Sequence, residues 1–235
     1  MQVCKNPLCK KPYRTVDFLG TPKEIPDCDC NRLRTSESDN DDSGKLYKKS
    51  YLKSQLPMMY FDRNFNNIES VNNLMIDFVK SWLVHEPFKS SMFIKADKST
   101  GKSLMSAIAG STLIKKGKLV YYTKPSRIYN KIFDKSQNSS QFIEHLQNVD
   151  ILILDDVTKG INKDGEWHKW VMYDIIDFRY ENNKQIIFNA KESQEEVARA
   201  LGDDTFDRIF EMCDHGKWFK SFNGLKNYRM STTPA

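Results

Sequence analysis

The chain has 235 residues, of which 39% are hydrophobic and 29% charged, and its formal net charge is +5. This length accommodates one α/β domain with a small appendage, and the composition is that of a soluble, globular protein. No apolar run approaches the length of a membrane span, and residues 1–6 lack the apolar core of a secretory signal, so a cytoplasmic protein is expected. The small positive net charge is compatible with a phosphate-bearing partner but does not require one.

Four of the five cysteines lie near the amino terminus, as the close pairs Cys4 with Cys9 and Cys28 with Cys30. A cytoplasmic chain is kept reduced, so four thiolates in two pairs suit tetrahedral Zn²⁺ better than disulfides. A segment of about thirty residues buries too little apolar surface to fold alone, and a metal would supply the missing folding free energy. We therefore predict a zinc-binding domain at residues 1–34. Because neither pair has the common C-x2-C spacing, free thiols in an unfolded tail are the alternative.

Residues 35–50 are polar, with an acidic run followed by a basic one. Such a segment has little apolar surface to bury, so residues 35–55 are predicted to form a linker. From Leu56 onward the chain turns apolar and aromatic, and strand-like apolar runs alternate with runs at helical spacing. This alternation predicts a doubly wound α/β domain at residues 56–235, with a parallel sheet and a ligand site at the carboxyl ends of its strands.

A phosphate-binding motif lies between a strand-like apolar run and a helical one. A strand, a loop and then Gly-Lys-Ser opening a helix form the context of a P-loop, whose backbone N–H groups bind phosphate; a chance Gly-Lys-Ser is the alternative. Lys102 would reach the β- and γ-phosphates, and Ser103 would offer its hydroxyl to Mg²⁺. Ala96 and Ser99 replace glycines frequent in such loops, which affects hydrolysis more than binding. The predicted nucleotide-binding residues are Ala96, Asp97, Lys98, Ser99, Thr100, Gly101, Lys102, Ser103 and Leu104.

The apolar run at residues 149–154 ends in two acids, Asp155 and Asp156. A run of this kind is more often a plain core strand, but two carboxylates at its end are costly to bury without a partner. A magnesium-bound nucleotide would be such a partner. Asp155 would then bind the metal, and Asp156 would polarise the attacking water. A P-loop about fifty residues before such a strand strengthens the prediction of a nucleotide site.

Further along the chain, several residues predict helix ends. Residues 193–196, Ser-Gln-Glu-Glu, form a capping box, and Gly202 is expected to close the helix that follows it. Ser140 and Asp204 are expected to cap two other helices. Cys213 stands apart from the other cysteines and is expected to be a small, buried, apolar residue.

From about Leu56 to Arg229, the chain resembles the AAA+ helicase loaders of the DnaC/DnaI type, including phage-encoded ones, and it is similar to the IstB transposition ATPases. The resemblance implies a P-loop AAA+ parallel sheet with helices on both faces, preceded by a small cysteine-rich domain. It further implies ATP and Mg²⁺ as cofactors, ATPase activity, and a bacterial or phage-infected cell as the location. The motifs that carry the resemblance are Phe61 with Phe65 and Asn66, and residues 99–103, 150–156, 175–180, 186–189, 207–211 and 224–229.

The same resemblance implies roles for single residues. Asn189 matches the sensor that orients water against the γ-phosphate, with a turn residue at a strand end as the alternative. Arg208 matches the arginine finger that serves a neighbouring subunit's nucleotide, and a surface ion pair is the alternative. Arg229 is a candidate second sensor. Basic residues beside an aromatic suit single-stranded DNA, although a solvated helix face is equally compatible, and the candidate DNA contacts are Lys124, Arg127, Tyr129 and Lys131.

Three functions remain open from the sequence. In the first, the chain loads a DnaB-type replicative helicase onto single-stranded DNA, assembling as a homo-oligomer with nucleotide or on the helicase, while the cysteine module grips the helicase. The second is an IstB-like transposition helper that wraps duplex DNA. The third is a non-hydrolysing adaptor or inhibitor that binds the helicase, which the altered P-loop permits. The cysteine module favours the first hypothesis over the second.

Overall fold

The computed structural model describes residues 13–18, 21–26, 42–68, 71–85, 89–134, 138–161 and 166–225. The chain divides into two compact units, Met1–Leu46 and Tyr47–Ala235. In the first unit, strands β1 (Tyr13–Phe18) and β2 (Thr21–Pro26) pair antiparallel. The four cysteines of the predicted zinc domain lie outside the described residues, as does Arg229. Within the described residues, no group of His, Cys, Asp or Glu side chains is arranged to hold a metal ion, so the zinc domain stays a prediction.

The second unit is built around a five-stranded sheet in which every neighbouring pair is parallel. All residues of β4 (Val120–Thr123), β5 (Ile151–Leu154) and β6 (Gln185–Ala190) are buried, so both faces of the sheet are covered, as parallel sheets require. The predicted parallel α/β sheet is confirmed. In spatial order, its strands are β4 (Val120–Thr123), β5 (Ile151–Leu154), β6 (Gln185–Ala190), β3 (Met92–Ala96) and β7 (Phe219–Phe222).

The helices form two packed groups around this sheet: α2 (Asn73–His85) lies against α3 (Lys102–Lys115), while α6 (Glu166–Glu181) lies against α5 (Ser139–Asn148), α7 (Gln194–Leu201) and α8 (Asp203–Met212). Across the described part of the chain, none of the helices is both long and apolar enough to cross a membrane. A short 3₁₀ helix occupies Met58–Tyr60. The α-helices are α1 (Asp42–Lys53), α2 (Asn73–His85), α3 (Lys102–Lys115), α4 (Pro125–Phe133), α5 (Ser139–Asn148), α6 (Glu166–Glu181), α7 (Gln194–Leu201) and α8 (Asp203–Met212).

Helix α1 occupies most of the stretch that was predicted to be a linker. Tyr51 is fully buried, its ring lies 4.9 Å from that of Phe61, and its hydroxyl donates to the carbonyl of Pro57 at 2.9 Å. The Ser54 carbonyl accepts a hydrogen bond from the Tyr122 N–H at 2.7 Å, which satisfies a donor on the outer edge of β4. Residues 47–55 therefore pack with the α/β unit rather than linking to it. The linker prediction rested on the polar composition of the segment and overlooked two tyrosines, Tyr47 and Tyr51, which are spaced one helical turn apart.

A buried arginine links helices α5 and α6 to strands β5 and β6. Arg179 of α6 is 0% exposed, and its guanidinium nitrogens donate to carbonyl oxygens at the end of α5, before β5 and at the start of β6. The five acceptors, at 2.6–3.1 Å, are the carbonyls of Leu146, Gln147, Val149, Asp150 and Gln185.

Candidate nucleotide-binding site

The order of the strands brings the P-loop, the two acids and Asn189 to one edge of the sheet. Strand β6 lies between β3, which leads into the P-loop, and β5, which leads into Asp155. Asn189 pairs in register with Ile94, and Phe188 pairs with Leu154. Asn189 is therefore placed between the P-loop and the two acids, at the carboxyl ends of the strands where α/β proteins bind ligands.

The loop between β3 and α3 has the backbone of an anion-binding turn. Gly101 precedes α3 with φ of 99°, and a Cβ added there would lie 3.0 Å from a methyl carbon of Val71, so this position requires glycine. Ser99 also has positive φ, at 61°. No side chain caps the first turn of α3, so its N–H groups are available to a phosphate.

Lys102 folds back over this loop. Its side chain is 6% exposed, and Nζ donates to the carbonyls of Ala96 at 2.5 Å and Asp97 at 2.7 Å. Burial lowers the pKa of Lys102, and the nearby carboxylates of Asp155 and Asp156 only partly offset that effect. The ammonium therefore lies over the loop in which phosphates would bind, held by carbonyls that a phosphate could replace.

Asp155 is fully buried and accepts four contacts. Its Oδ1 receives Ser103 Oγ at 2.8 Å and Asn189 Nδ2 at 2.9 Å, and its Oδ2 receives the Tyr122 hydroxyl at 2.5 Å and Lys124 Nζ at 2.9 Å. Burial alone would raise the pKa of this carboxyl, but the hydrogen bonds from Tyr122, Lys124 and Asn189 outweigh it and lower the pKa. An ionised carboxylate beside a hydroxyl is an oxygen donor set that fits Mg²⁺.

Asp156, the predicted water-polarising residue, is less buried and has an unusual backbone. Its φ is 53°, and its side chain is 31% exposed. Its Oδ2 lies 3.0 Å from Lys124 Nζ, so the two neighbouring acids share one ammonium. Burial lowers the pKa of Lys124, but hydrogen bonds and charge from the two carboxylates outweigh it and raise the pKa, which keeps the lysine charged.

The side chain of Asn189 is held in one orientation. It is fully buried, its amide donates to Asp155, and its Oδ1 accepts from Ser106 Oγ at 2.8 Å. The predicted sensor residue therefore lies beside the predicted metal ligand, and its role stays a prediction. Sequence reasoning missed Ser106 and Tyr122. The available signal for Ser106 was a hydroxyl three residues after Ser103, on the same face of α3.

Arg208, the predicted arginine finger, is occupied within its own chain. Its Nε lies 2.5 Å from Asp177 Oδ1, and another guanidinium nitrogen donates to the Tyr173 hydroxyl at 2.9 Å. The guanidinium carbon also lies 4.7 Å from the centre of the Tyr173 ring. The structure thus places Arg208 in the ion pair that was its alternative role, between α6 and α8. A finger role in trans stays a prediction and would require this pair to open.

The four candidate DNA contacts lie in different surroundings, and their role in binding DNA stays a prediction. Lys124 is held by the two acids of the site. Tyr129 is 3% exposed, and its ring centre lies 4.4 Å from that of His168, so it is too buried to stack on a base. Lys131 Nζ lies 4.4 Å from the centre of the Phe142 ring. Of the four, Arg127 is the exposed residue.

The fold and the site together define a P-loop nucleotide-binding protein of the AAA+ class. Residues 63–210, more than half of the chain, match the family described as the bacterial DnaA ATPase domain. The chain belongs to this ATPase family.

Individual proteins resemble the chain over part of its length. The protein YdaV of Escherichia coli K12 is 25% identical over 122 residues, which are 51% of this chain and 48% of YdaV. The chain thus spans about half the length of this curated relative. A crystal structure of the DnaC helicase loader matches with a TM-score of 0.59 and 19% identity, over 72% of this chain and all of that one. A structure of the replication initiator DnaA bound to AMPPCP and single-stranded DNA matches with a TM-score of 0.57 and 22% identity, over 72% of this chain and 50% of that one. These likenesses show a shared fold.

Proposed function

We propose that the chain is an ATP-dependent loader that places a DnaB-type replicative helicase on single-stranded DNA. The observation that carries this proposal is the convergence of Ser103 and Asn189 on Asp155, at 2.8 and 2.9 Å, beside the loop over which Lys102 folds. The fold that holds these residues is shared with the DnaC helicase loader. Membership of the DnaA ATPase family supports a role in replication.

The P-loop would bind the phosphates of ATP. The uncapped N–H groups at the start of α3 and the ammonium of Lys102 would surround the β- and γ-phosphates. For Lys102, this requires the exchange of two carbonyl partners, those of Ala96 and Asp97, for phosphate oxygens. Since phosphate oxygens carry more negative charge than carbonyls, the exchange favours the bound state.

Mg²⁺ would be held by Ser103 Oγ and Asp155 Oδ1, which already lie 2.8 Å apart. When bound, Mg²⁺ would neutralise charge on the β- and γ-phosphate oxygens. Asp156, more exposed than Asp155, would orient the attacking water, and Asn189 would hold it against the γ-phosphate. Arg208 of a neighbouring subunit would complete the site in an oligomer, after releasing Asp177.

The other proposed parts lie outside the α/β unit or outside the described residues. The cysteine-rich segment, with Zn²⁺ on Cys4, Cys9, Cys28 and Cys30, would grip the helicase. One zinc per chain by elemental analysis is the expected result for the full-length protein. A metal-free preparation that still binds the helicase would contradict this part of the proposal.

The loading function is tested by helicase-dependent unwinding. A DnaB-type hexamer from a candidate host would be mixed with forked DNA whose single strands are coated with binding protein. The chain with ATP should start unwinding, Lys102→Ala should not, and Lys217→Ala, which removes an exposed ion pair with Asp214, should behave as wild type. Helicase binding that blocks unwinding with every nucleotide would support the adaptor hypothesis instead. A preference for duplex DNA without helicase contact would support the transposition helper.

A further inference from the structure

The two acids of the site already share a cation supplied by the chain. Lys124 Nζ lies 2.9 Å from Asp155 Oδ2 and 3.0 Å from Asp156 Oδ2. Asp155 is fully buried, and an uncompensated buried carboxylate is strongly destabilising. In the absence of nucleotide, Lys124 supplies that compensation.

The position of Lys124 follows from the register of two neighbouring strands. Thr123, the last residue of β4, pairs with Leu154, the last residue of β5, so Lys124 and Asp155 leave the sheet at the same level. Lys124 has an extended backbone, with φ of −127° and ψ of 149°, and it is followed by Pro125 at the start of α4. The lysine side chain therefore extends across the carboxyl edge of the sheet toward both acids.

We propose that Lys124 makes the site selective for magnesium-bound nucleotide over free metal, because its ammonium repels a cation from Oδ1 of Asp155 and fills the space between Asp155 and Asp156. This inference rests on the proposed ATP-binding function. A free divalent ion must bind beside a carboxylate whose charge the lysine already compensates, and it must also shed water, which Mg²⁺ does reluctantly. The same ion arriving with ATP brings phosphate oxygens as further ligands, which offset the repulsion by the lysine.

Mn²⁺, whose unbound form is measured by electron paramagnetic resonance, tests this inference on the full-length chain. Without nucleotide, the wild type should bind Mn²⁺ weakly, and Lys124→Met should bind it about tenfold tighter or more, because the repelling charge is gone. The double variant Lys124→Met with Asp156→Asn should lose that gain. After allowance for the Mn²⁺ that ATP itself binds in solution, addition of ATP should strengthen Mn²⁺ binding by the wild type far more than by Lys124→Met.

Lys217→Met is the matched control, because it also removes a lysine–aspartate pair, here with Asp214 at 3.1 Å, outside the site. It should bind Mn²⁺ as weakly as the wild type. If Lys124→Met fails to fold, Lys124→Gln keeps a donor to the acids and should show a smaller gain. Wild-type Mn²⁺ affinity equal to that of both Lys124 variants would overturn the inference. Tighter Mn²⁺ binding by the variants, without any effect of ATP on the wild type, would instead contradict the proposed function. The reason is that the Mn²⁺ measurement made without nucleotide does not depend on ATP binding.

Discussion

Arg179 is a charged side chain that lies wholly inside the α/β unit. It is fully buried and donates to five carbonyls from α5, the chain before β5, and β6. In the sequence it looked like an ordinary basic residue near a helix end, where positive charge is common. Five hydrogen bonds converging from segments distant in sequence cannot be inferred from spacing alone.

Arg179→Met should therefore destabilise the α/β unit by about 3–5 kcal/mol, because it leaves buried carbonyls without a donor. The free energy of unfolding measured in urea checks this. Arg199→Met, on an exposed position of α7, is the control and should change stability by less than about 0.5 kcal/mol. Equal effects of the two substitutions would show that the carbonyl cluster contributes nothing specific.

Cys213 was expected to be buried, and it is 0% exposed. Burial raises the pKa of its thiol above the ordinary value of 9.0, so the reactive thiolate does not form near neutral pH. Iodoacetamide should therefore leave Cys213 unmodified in the native protein, even when the pH is raised to its ordinary pKa, and should alkylate it in urea. Peptide mass spectrometry gives the extent of modification at this residue. Native alkylation at pH 7 would contradict the burial.

At the scale of elements, the accuracy of the sequence predictions depended on how local the signal was. The capping box at Ser193 and Glu196 is present, with bonds of 2.8 and 3.2 Å, because both partners lie within one turn. Gly202 closes α7 as expected, but it also precedes α8, so Asp204 lies inside the first turn of α8 instead of capping it. Likewise, Asn138 and not Ser140 caps α5, since several neighbouring polar residues could serve there.

The predicted linker can be tested directly at Tyr51, which lies in helix α1. Tyr51→Ala removes a fully buried ring and its hydroxyl bond to Pro57, and it should cost about 3–5 kcal/mol of stability. Leu52→Ala, at a neighbouring position that is 51% exposed, should cost little. Chemical unfolding of both variants is the measurement. If both cost nothing, the segment behaves as the linker that its composition predicted.

At the scale of the whole molecule, the sequence predicted the parallel sheet, the P-loop and the acids at the end of β5, because each is encoded in a continuous segment. The resemblance to AAA+ loaders implied that Asn189 serves the same nucleotide site, and the structure places its side chain against Asp155 at the shared edge of the sheet. The sequence did not predict Lys124 or Tyr122 in the site, because their place depends on β4 lying next to β5. A lysine that follows a strand resembles a surface residue until that order is known.

The central claim is that this edge of the sheet binds ATP, and one measurement tests it most directly. Fluorescence anisotropy of a labelled ATP analogue with Mg²⁺ should show binding by the wild type and a loss of about a hundredfold in affinity for Lys102→Ala, since a charge-assisted phosphate contact is removed. Lys220→Ala, on the exposed face of β7, should bind as the wild type does. A folded wild type that does not bind the analogue, or a Lys102→Ala variant that binds it equally well, would contradict the account.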